Sequence, residues 1–447
     1  MECTKVLSEE LAAIRALDES DVSCLQKLLL DFFAASYAGY ALNKAFAGPV
    51  EDIVFAAGGT EEASVFLSGR KLPAGKAAFL NAIYAHGAEL DDGNKKAMGH
   101  AGVHLIPAVF ALAEKLGSTK DEVLLALAVG YEAYIRISTA AQPGLVARGY
   151  HSTGVVGTLA CAAACARLYG MGAEGIENAI ALATTMTGGL LSYGDSRPAI
   201  KPLNPAKAAE NGVMAAMLAY GGVKGPTEAL EGPNGWFHAV TEAYNETDLL
   251  RRPDEKLLMH ECYFKLYPSC RHTHCGLEAA ADLHEKLDPA DVEDVAVYIY
   301  PNAIRLAGQI RYPKDQDETK FSIHYTLACA LMNGSYGTAD MHPETMTAET
   351  KAMIERIRLI PDPAMEVKEK GIRGARVVVT KKDGSILEET VLVPRGDPEK
   401  PLRFSDIQEK LKTCASGMAD AATLERLTGY VLQFSGKERF AYPDLFG

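Results

Sequence analysis

The sequence has no excess of basic residues, no long apolar run and no basic segment at its N-terminus. Its 447 residues contain 45 lysines and arginines against 58 aspartates and glutamates, so the formal net charge is −13. This balance argues against a general nucleic-acid-binding protein, which needs a basic face to neutralise phosphates. No stretch reaches the roughly 20 apolar residues of a membrane span, and the first residues, MECTKVLSEELAAI, lack a signal-peptide pattern. We therefore expect a soluble, cytoplasmic protein without nucleic-acid or membrane partners.

The cysteines lack the pattern of a disulfide framework. There are nine of them, an odd number, and they lie far apart along the chain. Cys161, Cys165 and Cys329 lie in apolar stretches, where cysteine behaves as a small buried hydrophobic residue. This usage is typical of a reducing compartment.

Several catalytic motifs are also missing. The chain has no G-x-S-x-G turn and no Walker loop, so serine-hydrolase and P-loop chemistry have no support. Residues 170–175 fit G-x-G-x-x-G, but a predicted helix precedes them where a dinucleotide-binding fold needs a strand. We interpret them as a turn between two helices.

Two groups of metal-ligand residue types favour a structural interpretation over a zinc site. Residues 270–275 read CRHTHC, and alternating pairs in so short a stretch cannot all point at one ion. We interpret them as a pocket wall or a helix start. His100 and His104 are four residues apart, but the glutamate of an HExxH motif is missing. A zinc enzyme remains an alternative.

The chain contains a long helical part followed by a shorter mixed part. Apolar residues at helical spacing predict helices, the first capped by Ser20, at residues 20–33, 103–116, 121–137, 153–168 and 205–220. Later patterns predict a strand at 292–300, a helix at 321–332, a hairpin of 375–380 with 386–393, and helices at 404–411 and 418–434. The predicted fold is mainly α, with a large all-helical domain (1–264), a smaller α+β domain (265–398) and C-terminal helices (399–447) that return to the first. Substrate sites favour clefts between domains.

Five segments place polar residues among small ones, where a packed core would prefer apolar residues. They contribute two histidines, two lysines and a tyrosine, namely His100, His151, Lys201, Lys265 and Tyr325. Most of these lie near predicted helix starts, whose N-termini add positive potential. Together they would form a cationic pocket in an acidic protein. Such a pocket suits a small di- or tricarboxylate.

The order of these segments resembles the MmgE/PrpD family over essentially the whole chain. The matching motifs are Glu89-x-Asp91-Asp92-Gly93 before His100, Gly149-Tyr150-His151-Ser152-Thr153-Gly154, Lys201-Pro202, Lys265-x-Tyr267-Pro268 and Phe321-Ser322-x-x-Tyr325. The family includes 2-methylcitrate dehydratase, cis-aconitate decarboxylase and iminodisuccinate epimerase. The resemblance implies a helical domain with an α+β lid domain, a homodimer, and no metal or organic cofactor.

The resemblance also implies roles for individual residues. His100 and His151 are expected to divide the proton transfer, and Tyr325 to donate to a leaving group or a carboxylate. Lys201 is expected to stabilise charge at the reacting carboxylate. The expected substrate-binding residues are Lys265, Asp91, Asp92, Glu89, Arg271 and His274.

The main functional interpretation is a cofactor-independent lyase that moves a proton α to a carboxylate, most similar to 2-methylcitrate dehydratase. Two departures from the family's pattern argue against the decarboxylase. Glu89 and Gly93 stand where a decarboxylase-like member would have Asp and Thr, and the stretch from Asp92 to His100 is one residue longer. The alternatives are an epimerase or isomerase, a decarboxylase, and a non-catalytic carboxylate-binding protein.

Overall fold

A computed structural model describes residues 2–192, 198–250, 255–367 and 371–443. The chain divides into two compact units. The first consists of Met1–Tyr263 with Arg403–Gly447, and the second is Phe264–Leu402.

The first unit is built almost entirely of helices. Its longer helices before residue 264 are α1 (Cys3–Ala13), α2 (Glu19–Leu42), α3 (Lys44–Ala57), α4 (Ala74–His86), α5 (Gly102–Leu116), α6 (Lys120–Ala141), α8 (Ser152–Leu168), α9 (Ala173–Ala183) and α10 (Leu203–Tyr220). Short helices are α7 (Gly144–Ala147), α11 (Trp236–Val240) and α12 (Glu246–Leu249). Two-residue strands pair as β1 (Ala63–Ser64) with β2 (Lys71–Leu72), and β3 (Gly93–Asn94) with β4 (Cys262–Tyr263).

Small residues allow the central helices of this unit to pack closely. Helix α8 lies against α6 and α10, and almost every residue of α8 is buried. At Gly212 of α10, an added Cβ would lie only 2.2 Å from the Cys161 Cβ of α8. Close packing of this kind holds the starts of α8 and α10 at fixed positions. His151 immediately precedes α8, and Lys201 lies two residues before α10.

The second unit combines a four-stranded sheet with helices. Its helices are α13 (His274–His284), α14 (Pro301–Ala307), α15 (Gln316–Thr319), α16 (Ile323–Asn333) and α17 (Ala348–Arg356). Its strands are β5 (Val292–Ile299), β6 (Ile357–Pro361), β7 (Glu366–Val367), β8 (Ile372–Arg373), β9 (Ala375–Lys381) and β10 (Ile386–Val391). The sheet order is β10-β9-β5-β6, in which only the β5–β6 pair is parallel, and α13 packs on β9 and β10.

The chain then returns to the first unit with α18 (Phe404–Cys414) and α19 (Ala421–Leu432). A mainly α fold with a smaller α+β region is therefore confirmed. The β9–β10 hairpin is confirmed as well, and its turn contains Gly384 at φ +83°.

The predicted cap of α2 is wrong. The helix begins at Glu19, and the Asp18 carboxylate accepts the Asp21 N–H at 2.8 Å. The Asp21 carboxylate accepts the Asp18 N–H at 3.2 Å in return, which completes a capping box. Ser20 instead donates its hydroxyl to Asp18. Aspartate and serine are both good N-caps, and here the reciprocal pair favours the earlier residue.

Two motifs that could be mistaken for sites have structural roles. Residues 170–175 join α8 to α9, with Gly170 at φ +72°, so the predicted helix–helix turn is confirmed. Residues 271–273 form a single 3₁₀ turn that leads into α13 at His274, so the segment is a helix start.

One helix of the described residues, α6, is long and apolar enough to span a membrane by length and composition alone. However, 89% of its most apolar window is buried inside the fold. Burial of this extent is typical of a core helix in a globular protein.

Candidate active site

The loop after α4 carries three buried acids of the first unit. Glu89, Asp91 and Asp92 are each at most 5% exposed, and Glu89 has a left-handed backbone conformation at φ +55°. The buried Lys410 of α18 donates to the Leu90 carbonyl at 2.6 Å and also pairs with Asp31 of α2. The loop is therefore fixed in place by a helix from the far end of the chain.

The Asp91 carboxylate joins two imidazoles. The Nδ1 atom of His86 lies 3.1 Å from both carboxylate oxygens, and the Nδ1 atom of His100 lies 2.9 Å from Oδ2. The His100 Nδ1 atom also lies 2.7 Å from the Asp92 carbonyl. These oxygens only accept, so the hydrogen-bond network assigns the proton of each ring to Nδ1. Each neutral ring then carries its basic lone pair on Nε2.

Burial and the neighbouring charges shift the pKa values of Asp91 and His86 in opposite directions. Burial alone would raise the pKa of Asp91, but the neighbouring His86 and His100 hold that pKa well below its usual range. Burial lowers the pKa of His86 to about 4, although the Asp91 charge opposes the shift. At neutral pH the group therefore consists of an ionised Asp91 beside an uncharged His86.

His151 is a third buried imidazole of this cluster, with the opposite tautomer. Its ring stacks on His86 with centroids 6.2 Å apart. Its Nδ1 atom lies 3.0 Å from the Nδ2 atom of Asn204, an amide that also donates to the Leu190 carbonyl. Since the amide nitrogen donates, Nδ1 accepts and the ring proton lies on Nε2. Burial, together with the Lys201 charge, holds the pKa of His151 well below its usual range.

A buried ion pair completes the group. The Lys201 ammonium donates to the Glu89 carboxylate, and their side chains are 10% and 6% exposed. The same Glu89 oxygen lies 3.9 Å from the His86 Nε2 atom. The structure thus brings together six of the predicted residues of the first unit, which are Glu89, Asp91, Asp92, His100, His151 and Lys201.

The Asp92 side chain is hydrogen-bonded to other residues of the first unit. Its Oδ1 atom accepts the Gly102 N–H at 3.1 Å, and its Oδ2 atom lies 3.3 Å from the Tyr131 hydroxyl. An added Cβ at Gly102 would lie 2.5 Å from Oδ1, so only glycine allows this approach. Burial, with the charges of Asp91 and Asp31, raises the pKa of Asp92 well above its usual range. Asp92 therefore holds a proton more readily in the folded protein than in the unfolded chain.

An Asp92→Asn variant is expected to stabilise the protein above about pH 4. In the unfolded chain Asp92 ionises near its ordinary pKa of ~3.9. The folded protein keeps the proton because the folded pKa is raised, so Asp92 makes folding less favourable as the pH increases. Asparagine removes this penalty, which grows by about 1.4 kcal/mol per pH unit until Asp92 ionises in the folded state. Urea unfolding at pH 4 and pH 7.5 measures the effect, and an equal free-energy difference at both pH values would contradict a raised pKa of Asp92.

The remaining predicted residues belong to the second unit. Lys265 and His274 are buried, and the His274 Nε2 atom lies 3.3 Å from the Ser269 carbonyl. Arg271 forms an ion pair with the buried Asp397. The Tyr325 hydroxyl donates to the Asp340 carbonyl at 2.6 Å. Burial raises the pKa of Tyr325, so this hydroxyl keeps its proton at neutral pH.

His86 and Asn204 lie in two of the five polar segments of the sequence, but no role was predicted for either of them. His86 is the last residue of α4 and lies five residues before Asp91, which is the one signal that the sequence offered. Asn204 follows Lys201 in the loop and first turn of α10. Their importance comes from contacts with Asp91 and His151, which no local pattern reveals.

His86, Asp91 and His100 also have the spacing of a possible metal site. One potential ligand atom from each residue lies within 4.8 Å of the others. Two imidazoles and one carboxylate are ligands that Zn²⁺ and Fe²⁺ accept. A metal ion would have to replace the protons that now lie between the imidazoles and Asp91.

Comparisons with known proteins show which family the sequence matches. The family model for the MmgE/PrpD N-terminal domain matches residues 11–247 of the sequence. The family model for the MmgE/PrpD C-terminal domain matches residues 267–432. A cis-aconitate decarboxylase-like protein of Aspergillus oryzae is 28% identical over 382 residues, which are 80% of this chain and 78% of the relative. Human cis-aconitate decarboxylase is 27% identical over 80% of this chain and 76% of its own.

A second group of relatives matches a shorter part of the chain. The 2-methylcitrate dehydratase of Escherichia coli is 28% identical over 252 residues, which are 52% of this chain and 51% of the relative. Both groups of relatives are lyases by name. The two domain models together cover most of the sequence and confirm the resemblance drawn from its motifs. The chain belongs to the MmgE/PrpD family.

Proposed function

We propose that the protein is a lyase that acts on a small di- or tricarboxylate by proton transfer next to a carboxylate, without a metal or organic cofactor. The observation that carries the proposal is the pair of opposite tautomers. The basic Nε2 atom of His100 is backed by the Asp91 carboxylate at Nδ1. In His151 the Asn204 amide donates to Nδ1, which leaves the proton of that ring on Nε2. One ring is suited to carry a proton and the other to donate a hydrogen bond.

The two histidines have different tasks in this proposal. His100 takes or delivers the proton, because a carboxylate at Nδ1 stabilises the imidazolium that forms. His151 stays neutral, since burial and the Lys201 charge disfavour its protonated form. A neutral imidazole can polarise a substrate oxygen through its Nε2–H without losing the proton. Lys201 supplies positive charge for the developing negative charge on the substrate.

We propose decarboxylation of a cis-aconitate-like acid as the reaction. The named decarboxylases match 80% of the chain, whereas the named dehydratases match 52%. In this reaction the bond between a carbon and one carboxylate breaks, CO₂ leaves, and the carbon-bound electron pair takes a proton from His100, whose Nε2 atom has first taken that proton from solvent. This assignment replaces the dehydratase as the main interpretation.

Dehydration of a 2-methylcitrate-like hydroxy acid is the second candidate. Glu89 and Gly93 favour it, because a decarboxylase-like member has Asp and Thr at these positions. The longer Glu89 side chain reaches Lys201 and pairs with it. Because Glu89 already neutralises its charge, Lys201 is expected to bind a substrate carboxylate less strongly than an unpaired lysine would.

The reaction is tested by proton NMR in D₂O with cis-aconitate, 2-methylcitrate and an epimerisable amino dicarboxylate. We expect loss of CO₂ from cis-aconitate with one solvent deuterium in the product, at an unchanged rate in EDTA. A new double bond from 2-methylcitrate would select the dehydratase. Exchange of the α-proton for deuterium, with inversion of configuration at that carbon, would indicate an epimerase. Binding of these acids without turnover of any of them would contradict a lyase. The homodimer and the lid role of the second unit stay predictions of the resemblance.

A further inference from the structure

The first turn of α8 is hydrogen-bonded to the segment that carries His100. His151 immediately precedes this helix, and the next two residues, Ser152 and Thr153, are fully buried. The Thr153 Oγ1 atom accepts the backbone N–H of His100 at 3.2 Å. Because a buried N–H needs an acceptor, this bond fixes the His100 backbone relative to the start of α8. The contact therefore connects two histidines that are 49 to 53 residues apart by way of a single hydroxyl group.

A second connection runs through the end of α6. The Gln142 Nε2 atom donates to the Ser152 hydroxyl at 2.8 Å and to the Ala97 carbonyl at 3.4 Å. Ser138 of α6 donates its hydroxyl to the same carbonyl at 2.6 Å. The segment is therefore attached at both ends, at Ala97 to the end of α6 and at His100 to the start of α8.

Close packing at Gly99 restricts the same segment, residues 97–100. A Cβ added to Gly99 would lie 2.1 Å from the Tyr134 hydroxyl of α6 and 3.2 Å from the Thr153 Oγ1 atom. The chain can pass this close to both helices only because Gly99 has no side chain. Met98 has φ +51°, a left-handed conformation that is unfavourable for a residue other than glycine. Packing and hydrogen bonds thus hold the segment in a conformation that its own sequence does not favour.

We infer that Thr153 is a positioning residue that keeps His100 at a fixed place relative to His151. The inference rests on the proposed function, in which both rings act on the same substrate. Thr153 acts through the His100 backbone and is not expected to contact the substrate or to transfer a proton. A displacement of about 1 Å in an active site can lower a rate about 100-fold, so even a small shift of His100 has a measurable effect.

Thr158 shows what a buried threonine of α8 does without such a contact. Its hydroxyl donates to the Gly154 carbonyl at 3.1 Å, one turn earlier in the same helix. This bond is local, and threonine commonly forms it in helices. The two threonines are buried to the same extent in one helix, and they differ in whether the hydroxyl reaches the His100 segment. Thr158 is therefore a matched control for Thr153.

The first test observes the His100 backbone N–H in the native protein and needs no substrate. Nitrogen-15 labelling of the 11 histidines gives one backbone signal for each, and the signal missing in His100→Asn identifies His100. In Thr153→Val this N–H loses its acceptor, so its exchange with D₂O is expected to become at least about 10-fold faster. Thr153→Ser retains a hydroxyl and is expected to keep the wild-type rate. Unchanged exchange in Thr153→Val would overturn the inference.

The second test measures turnover of cis-aconitate by the same variants. Thr153→Val is expected to lower kcat about 10-fold or more, because His100 is no longer held at its place. KM is expected to change less than about 2-fold, since Lys201 and the other charged residues are unaltered. Thr153→Ser is expected to retain most of kcat. An equal loss of kcat in the serine and valine variants would overturn the inference, because the hydroxyl would then have no part in the effect.

The control variant is Thr158→Val. It is expected to leave the exchange of the His100 N–H unchanged and kcat within about 2-fold of the wild-type value. Urea unfolding of Thr153→Val and Thr158→Val shows how far each replacement lowers stability. An equal change of His100 exchange and kcat in the two valine variants would overturn the inference in favour of a general packing effect.

The tests separate this inference from the proposed function. If the wild-type protein turns over no carboxylate but the His100 N–H loses protection in Thr153→Val alone, the proposed function fails and the role of Thr153 at the His100 backbone stands. If the protein is a lyase but Thr153→Val keeps the wild-type kcat, only the inference fails.

Discussion

Lys201→Met is expected to lower the free energy of unfolding by about 3–5 kcal/mol, because it leaves a buried carboxylate without its counter-charge. The Glu89 side chain that pairs with Lys201 is only 6% exposed. The same change is expected to reduce kcat about 10²–10³-fold, the usual cost of one lost electrostatic contact in the transition state. Urea unfolding and turnover of cis-aconitate measure the two effects.

A double variant separates stability from activity. Lys201→Met with Glu89→Gln removes both charges, so it is expected to recover most of the lost stability while activity stays low. The exposed pair of Lys286 and Glu389 provides a matched control, since its side chains are 49% and 29% exposed. Lys286→Met is expected to cost less than about 1 kcal/mol. Equal stability of Lys201→Met and the double variant would contradict a dependence of Glu89 on Lys201.

His100→Asn is expected to abolish most activity while the fold survives. Asparagine keeps an N–H near the Nδ1 position, so Asp91 retains its second donor, but the variant has no Nε2 atom. Loss of the group that transfers the proton is expected to lower kcat about 10²–10⁴-fold. Steady-state kinetics measures kcat, and circular dichroism and urea unfolding check the fold.

The same replacement at His86 is the matched comparison for His100→Asn. Both variants keep the donor to Asp91, and they differ in which Nε2 atom is lost. Because only the His100 Nε2 atom is expected to carry the proton, His86→Asn is expected to remain active. Similar losses of kcat in the two variants would contradict the division of tasks between these rings.

The fold was largely predictable from the sequence because its helices have strong periodic patterns. Helices α6, α8 and α10 lie where their apolar and alanine residues recur at helical spacing. Helix ends were less predictable, as the cap of α2 illustrates. Asp18 and Ser20 are chemically similar caps, and only the reciprocal bond with Asp21 distinguishes them.

The candidate site was predictable in part. His100, His151 and Lys201 were recognisable because motifs carry them, and the first unit brings all three into one buried group. His86 was not recognisable, since a histidine at the end of an apolar helix is usually a core residue. The raised pKa of Asp92 was equally hidden, because it results from burial and from the charges of Asp91 and Asp31. Both properties depend on contacts between segments that are distant in sequence or on loop geometry.

The family assignment narrows the chemistry without naming the substrate. Its relatives include decarboxylases and dehydratases, and both reactions move a proton next to a carboxylate. We propose that the arrangement of His100, Asp91, His151 and Lys201 in the first unit serves this shared step. The Glu89–Lys201 pair is the feature of this chain that we expect to influence which acid is accepted.

The most direct measurement is solvent deuterium uptake into cis-aconitate products by EDTA-treated protein, comparing wild type with His100→Asn. We expect one deuterium per turnover in the wild-type protein and at least about 100-fold slower uptake in the variant. Equal uptake by both proteins, or uptake that appears only after a metal ion is restored, would contradict it.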